Sequence, residues 1–176
     1  WHAYFTDNIG NKRLNSLAEG KDGSVYACNL GNAILKLSPE GETLWLKNYK
    51  LGNFRNIIAL TDGSLLLVAD HYFAKMDTSG NILWSHLQQG AYCQKSCIVN
   101  DTILALLTDK NLYLLDTMNQ IFDSFPSLPD YGDFKSLTCD GFNFYLLSSG
   151  HNGNEEILSL DKNLVKRWNR VISGCI

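Results

Sequence analysis

The stretch TDGSLLLVADHYFAKMDTSGNILW, residues 61–84, decides the fold. It opens on Asp62-Gly63, a pair suited to a tight hairpin, because glycine enters positive φ at no steric cost and aspartate accepts hydrogen bonds from nearby amides. Apolar runs follow from Ser64 to Ala69 and from Tyr72 to Met76. A second turn pair, Ser79-Gly80, leads into a run from Ile82 to Leu87 that contains Trp84. With Asn56 to Leu60 upstream, these segments predict four short strands joined in series. Leu, Ile, Val, Tyr and Phe dominate them, as strands require, and no part of the chain has a convincing helical period.

The same plan recurs along the chain. The first turn reappears as Asp22-Gly23, Asn100-Asp101 and Asp140-Gly141, with aspartate-to-aspartate steps of 40, 39 and 39 residues. A second marker lies seven residues before a tryptophan: Ser38 before Trp45, Asp77 before Trp84 and Asp161 before Trp168. Asp116 before Asp123 is the degenerate member. From Trp45, Trp84 and Asp123 to the next turn the spacing is 17 residues each time. Between turn and second marker it is 16, 15, 15 and 21 residues, so the fourth copy carries an insertion of about six around His151 to Glu156. Repeats of about 40 residues, each a four-stranded antiparallel meander, are the pattern of a β-propeller blade.

The expected fold is therefore all-β, a single propeller domain over residues 1–176, with repeats at approximately 14–53, 54–92, 93–131 and 132–176. The recurring tryptophan belongs to the outermost strand, where its ring can fill the wedge between neighbouring blades. Four blades are the lower limit for a closed ring, so an arc of a larger ring, a fragment, or a half-ring completed by another subunit all stand open. Trp1 to Phe5 could be an outermost strand left from a preceding blade or a simple N-terminal strand.

The phrases Lys75-Met-Asp-Thr-Ser-Gly-Asn-Ile-Leu-Trp84 and Lys36-Leu-Ser-Pro-Glu-Gly-Glu-Thr-Leu-Trp45 resemble the blade signature of the pyrroloquinoline-quinone-like (PQQ-like) propeller superfamily, over essentially the whole chain. The resemblance implies a propeller. It does not fix a function, since the superfamily holds dehydrogenases, envelope scaffolds and secreted propellers alike. Its enzymatic branch spaces Gly four and Trp eight residues after the Asp, whereas Asp77, Gly80 and Trp84 are spaced three and seven. That branch's adjacent cysteine pair is also missing. Both departures point to the non-enzymatic branch and to no cofactor.

Composition narrows the function classes. The 176 residues carry 15 basic and 18 acidic side chains, a net charge of -3, which lacks the positive footprint of nucleic-acid binding. No apolar run reaches the ~20 residues of a membrane helix. Five cysteines, Cys28, Cys93, Cys97, Cys139 and Cys175, are an odd number that argues against a disulfide framework, and no ligand set for zinc accompanies them. The resemblance favours an envelope or secreted location; the cysteine count pulls the other way.

No catalytic constellation is present. The chain has no Gly-x-Ser-x-Gly elbow, phosphate loop or zinc helix, and His2, His71, His86 and His151 lie in different repeats. Glu155-Glu156 falls in the polar insertion, and Asn152, Asn154 and Glu155 lack the regular spacing of calcium loops, so no metal is assigned. Asn100-Asp101-Thr102 is formally a glycosylation acceptor but reads as a turn. Antiparallel meanders send the Asp-Gly and Ser-Gly hairpins to one rim and the variable loops to the other. The variable rim is the expected binding surface, through Arg55, His71, Tyr92, Tyr131, His151, Asn152 and Asn154, and its expected partner is a protein or another copy of the chain. The alternatives are a fragment of a quinoprotein-like oxidoreductase, or a carbohydrate-binding propeller in which Tyr92 or Tyr131 stacks on sugar.

Overall fold

The computed structural model describes residues 13–87, 93–100, 103–108, 111–116, 118, 122–124, 134–149 and 154–172. The chain divides into two compact units, 1–90 and 91–176. Unit one holds β1 (Leu14–Glu19), β2 (Val25–Asn29), β3 (Ala33–Leu37) and β4 (Thr43–Asn48), then β5 (Phe54–Ala59), β6 (Leu65–Ala69), β7 (Tyr72–Met76) and β8 (Ile82–Leu87). Unit two holds β9 (Cys93–Ile98), β10 (Ile103–Thr108), β11 (Leu112–Asp116) and β12 (Phe122–Ser124), then β13 (Phe134–Cys139), β14 (Asn143–Ser149), β15 (Glu155–Asp161) and β16 (Lys166–Ile172). Each group of four is one antiparallel sheet in sequence order. There is no helix among the described residues, and none long and apolar enough to cross a membrane.

The two sequence markers are turn caps. Asp62 Oδ1 accepts from the amide of Ser64 at 2.9 Å, and Asp22 Oδ1 from Ser24 at 3.1 Å, closing the first hairpin of their repeats. Asn100 does the same for the amide of Ile103 at 2.9 Å, which is the turn role its sequence suggests. The second marker caps the β3–β4-type turn. Asp77 Oδ1 accepts from Ser79 and Asn81, Asp161 Oδ1 from Asn163 and Val165, Asp116 Oδ1 from Met118, and Ser38 Oγ from Glu40 and Glu42. Such side-chain acceptors compete with continued strand pairing, so they fix where each strand must stop.

The seam between the first two sheets is built on one cross-strand row. Ala18, Tyr26, Lys36 and Trp45 stand opposite one another on β1 to β4. Tyr26 and Trp45 meet with ring centroids 6.0 Å apart, and Lys36 Nζ lies 5.1 Å from the Tyr26 centroid. Behind the row, Cys28 and Ile34 join Phe54, Ile57, Leu65, Leu67, Ala69, Ala74 and Met76 of the second sheet in a buried core, with Trp45 against it. Polar hooks then reach the β7–β8 turn. Tyr26 Oη donates to the Thr78 carbonyl, Lys36 Nζ to the same oxygen at 3.4 Å, Lys47 Nζ to Ser79 O at 2.6 Å and Tyr49 Oη to Gly80 O at 2.8 Å. Turn carbonyls have no ladder partners, so they are open to accept these bonds from the first sheet.

Lys36 is only 8% exposed and Lys75, its counterpart in the second sheet, only 7%. Each is paired with its own hairpin aspartate, Lys36 Nζ to Asp22 at 3.3 Å and Lys75 Nζ to Asp62 at 2.8 Å. Burial opposes the charge on Lys36, but Tyr26 and Asp22 outweigh it and hold the ammonium above its ordinary value. Burial also opposes ionisation of Asp62. The Lys75 ammonium and the Ser64 hydroxyl and amide overcome it, and the carboxyl falls to about 2.

In unit two, Ala105, Leu107 and Leu112 of the third sheet meet Phe134, Leu137, Phe144, Leu146, Leu158 and Leu160 of the fourth. The fourth sheet thus packs through the face opposite its tryptophan. Trp168 rests on Tyr145, centroids 6.2 Å apart, and stays 44% exposed, so it does not fill a described seam as Trp45 does. The insertion also differs from its expected form. Glu155 and Glu156 are not in a loop but open β15, paired with Ser149 and Ser148, because the extra residues lengthen β14 and β15 to seven each. Glu155 then bonds Lys135 Nζ at 2.7 Å.

The described cysteines are free thiols. Burial raises Cys28 to about 12, and burial with the adjoining Cys139 raises Cys97 further. Neither is a thiolate at neutral pH, which suppresses nucleophilic or metal-binding chemistry.

Two outcomes test this account. Gly63 (φ +87) and Gly80 (φ +83) share a left-handed backbone, but a Cβ on Gly80 would lie 2.9 Å from both Lys47 Cδ and Tyr49 Oη, while on Gly63 the nearest atom is 3.9 Å away. Chemical denaturation should therefore show Gly63→Ala costing about 1 kcal/mol from the backbone alone, and Gly80→Ala costing more, by up to about 1 kcal/mol for each of the Lys47 and Tyr49 hydrogen bonds that the displaced side chains give up. The second concerns acid. Because the Asp62 carboxyl is depressed in the fold, its stabilisation is complete above about pH 4 and is lost as pH falls through about 2. Melting temperatures from pH 5 to 2 should fall more steeply for the parent than for Asp62→Asn, and the two curves should converge at the acid end.

Candidate functional site

Two regions can do chemistry or recognition, the loop-rich rim of unit one and the hairpin rim of unit two. On the loop-rich rim, the β4–β5 linker and the β6–β7 loop are tied together by Asp70. Its Oδ2 accepts from Asn53 Nδ2 at 2.8 Å and its Oδ1 from Arg55 Nε at 2.5 Å. From β1, Asn15 Nδ2 donates to the carbonyls of Phe54 at 3.2 Å and Arg55 at 2.7 Å. The β2–β3 loop is closed by Asn29 Oδ1, which accepts from Gly31 and Ala33, and Asn32 adopts φ 71 to complete it. These bonds preset the loops of the first two sheets.

Of the residues expected to bind, Arg55 and His71 lie on this rim as anticipated, Arg55 on β5 and His71 half-buried in the β6–β7 loop. Arg55 is committed to the buried Asp70 carboxylate, a structural duty not visible from its position fifteen residues away in the chain. Asn154 is exposed just before β15. Tyr92, Tyr131, His151 and Asn152 lie outside the described residues. No cluster of three His, Cys, Asp or Glu side chains that could hold a metal occurs among the described residues.

The second region is a cavity of about 390 Å³ on the short-hairpin rim of unit two, lined by Val99, Asn100, Ile103, Leu114, Asp116, Gly141, Phe144 and Lys162. Its origin is legible in the register. The row that reads Ala18, Tyr26, Lys36 and Trp45 in the first sheet becomes Cys97, Ala105, Leu114 and Asp123 in the third. A phenol has become a methyl, and the long lysine has become leucine. Lys162 occupies the turn position of Thr78, the residue that receives the Lys36 and Tyr26 hydrogen bonds in unit one. Where the first seam is plugged by its own side chains, the corresponding place in unit two is open.

A compensating exchange accompanies the loss. A Cβ on Gly20 would sit 2.9 Å from Tyr26 Cε2 and 3.0 Å from Asp22 Oδ1, so the first repeat needs glycine there to admit the ring. In the third repeat the same place is Val99, and Ala105 has replaced the tyrosine. Sequence reasoning treated the third copy as degenerate and passed over this site. Aligning residues 36, 75, 114 and 159 as Lys, Lys, Leu and Ser would have pointed to it.

No family model and no curated protein matches the chain. Solved structures do. The chain is similar to the Dos1 propeller (17% identity, TM-score 0.70) over 97% of its own length and 51% of that chain. It is similar to the WD40 repeats of RRP9 (11% identity, TM-score 0.71), with coverages of 95% and 53%. A third similar structure is a catalytically inactive virginiamycin B lyase from Staphylococcus aureus with quinupristin (15% identity, TM-score 0.63), with coverages of 82% and 50%.

The fold is that of a β-propeller.

The chain spans about half the length of these propellers. At such identities the likeness carries the fold alone, and the neighbours include both WD40 repeats and a lyase.

A double-mutant cycle tests the propeller seam. Gly20→Val should destabilise the protein by forcing the Tyr26 ring aside. Tyr26→Ala, which with it recreates the Val99 and Ala105 pairing, should cost less in the Gly20→Val background than in the parent, a favourable coupling of about 1 kcal/mol or more by urea denaturation.

Proposed function

We propose that this chain is a non-catalytic propeller module of PQQ-like repeat type that engages a protein partner through its loop-rich rim. The reading is supported by one observation above the rest: the loops of the first two sheets are held by the Asp70, Asn15 and Asn29 hydrogen bonds. A rim ordered before contact loses less conformational entropy on association, which is what a recognition surface needs. Propeller loops on a rigid sheet scaffold can vary without disturbing the core, so recognition and folding are separable there.

Arg55 is not a suitable probe, because Arg55→Ala would strand the Asp70 carboxylate. The test replaces His71, Tyr92 and His151 together with Ala. With the chain immobilised as bait, the partner retained by the parent should be lost by the triple variant while the melting temperature stays within a few degrees. Retention unchanged in a well-folded triple variant overturns the assignment of this rim.

A further inference from the structure

We propose that two copies of this chain associate head to tail, the head being the tryptophan face of the fourth sheet and the tail the β1 edge of the first sheet's reverse face. The inference concerns sheet faces and does not rest on the loop-rich rim.

Two seams within the chain show how such faces meet. The face carrying Ala18, Tyr26 and Trp45 in the first sheet is covered by the reverse face of the second, and the face carrying Cys97, Ala105 and Leu114 in the third by the reverse face of the fourth. The sheets meet chiefly through their first strands, β1 and β2 against β5 and β9 against β13. On the covering side those strands present Phe54 and Ile57, or Phe134 and Leu137, all buried.

The fourth sheet repeats the covered face. Thr138, Tyr145, Ser159 and Trp168 form the row that Ala18, Tyr26, Lys36 and Trp45 form in the first sheet. The Tyr145 and Trp168 centroids lie 6.2 Å apart, against 6.0 Å for Tyr26 and Trp45. Ala18 and Trp45 are half-buried beneath the second sheet, whereas Thr138 and Trp168 are exposed.

The first sheet carries the matching reverse face. Ala27, Leu35 and Leu37 are its buried apolar middle. Leu17 stands in the row of Ala27 and Leu35 and is 64% exposed, while its counterparts Ile57 and Leu137 are only 2% and 7% exposed. Leu14, the counterpart of Phe54 and Phe134, is exposed as well. Seating Tyr145 and Trp168 against Leu14 and Leu17 removes both apolar sets from water.

Charge selects the occupant. Lys47, two residues beyond Trp45, donates to the Ser79 carbonyl in the turn of the covering sheet. Arg170, two residues beyond Trp168, is exposed, and the turn position of Ser79 is held in the first sheet by Glu40, also exposed. The seam geometry sets the guanidinium of one copy beside the carboxylate of the other, so the chain carries the complement to its own head. Such a contact is heterologous and is made twice when two copies close on each other. One chain spans about half the length of the propellers it resembles, and two copies match that length.

The experiment is sedimentation velocity of the whole chain across the micromolar range, where the parent should run as a dimer. Trp168→Glu and Leu17→Glu each spoil one face at an exposed position, and each alone should be monomeric with an unchanged far-ultraviolet dichroism spectrum. Mixed in equal amounts they should form a weaker heterodimer, since the intact head of one meets the intact tail of the other. Arg170→Glu should weaken the dimer about tenfold or more, and Glu40→Arg added to the same chain should restore most of the loss. A parent that stays monomeric at every concentration overturns the proposal. So does a dimer that survives Leu17→Glu, which would join two tryptophan faces, or a mixture of the two variants that stays monomeric. Should either glutamate variant fail to fold, the exchange of Arg170 and Glu40 decides, and its failure to restore association overturns the proposal.

Discussion

A buried ammonium set in a row of aromatic rings is the constraint on which the first seam depends. Lys36 cannot be stranded between sheets without an anion and acceptors, so Asp22, Tyr26 and the Thr78 carbonyl must all be where they are. Each of those partners belongs to a different element. Asp22 is in the β1–β2 hairpin, Tyr26 is on β2 and Thr78 is in the β7–β8 turn of the next sheet. Satisfying one cation therefore fixes the hairpin, the row and the distance between two sheets. Apolar burial supplies the larger share of the attraction, but it is indifferent to sliding. The hooks onto Thr78, Ser79 and Gly80 set the register of sheet on sheet.

Editing that row is how the repeats come to differ. The second copy keeps the lysine and its aspartate, as Lys75 and Asp62. In the fourth, Ser159 stands in the row between Tyr145 and Trp168, and the hairpin is one residue shorter. Asp140 then turns to the Tyr145 hydroxyl at 2.8 Å and to Asn143, which together hold its carboxyl well below the usual range. The Tyr145 hydroxyl is correspondingly pushed up by that carboxylate. An aspartate that serves a lysine in two repeats serves a phenol here. The third copy drops both phenol and lysine and leaves a cavity. One scaffold position thus yields a structural ion pair, a surface hydrogen bond or an open pocket, depending on two side chains.

How much of this was legible in the sequence depends on which physical rule was involved. Strands and turns were, because the Asp-Gly pairs, the capping Asp or Ser and the alternating runs act locally. The strand expected at 72–76 is Tyr72–Met76, and that at 82–87 is Ile82–Leu87. The propeller followed from spacing alone. The location of Glu155 and Glu156 did not, since a polar pair can open a strand when its backbone finds partners in β14 and its charge finds Lys135. Arg55 likewise reads as a free surface cation until the fold brings Asp70 beside it. The open cavity required knowing that positions 26, 36 and 45 share one row, which is a statement about register that no single repeat contains.

The two rims consequently follow different physical logic. On the loop-rich rim the chain varies in length and composition, and its order comes from side chains reaching across loops, as Asn53, Arg55 and Asn15 do. Length can change there without shifting the sheets. On the hairpin rim the turns are short and capped, and they double as acceptors for the neighbouring sheet. Change on that side is confined to side chains in a fixed frame. A recognition surface for a large partner suits the first kind of rim, because area can be added to it. A small, shaped pocket suits the second, since its walls are the same turns that hold the seam and its volume is set by substitutions of the order of a phenyl or an alkylammonium group.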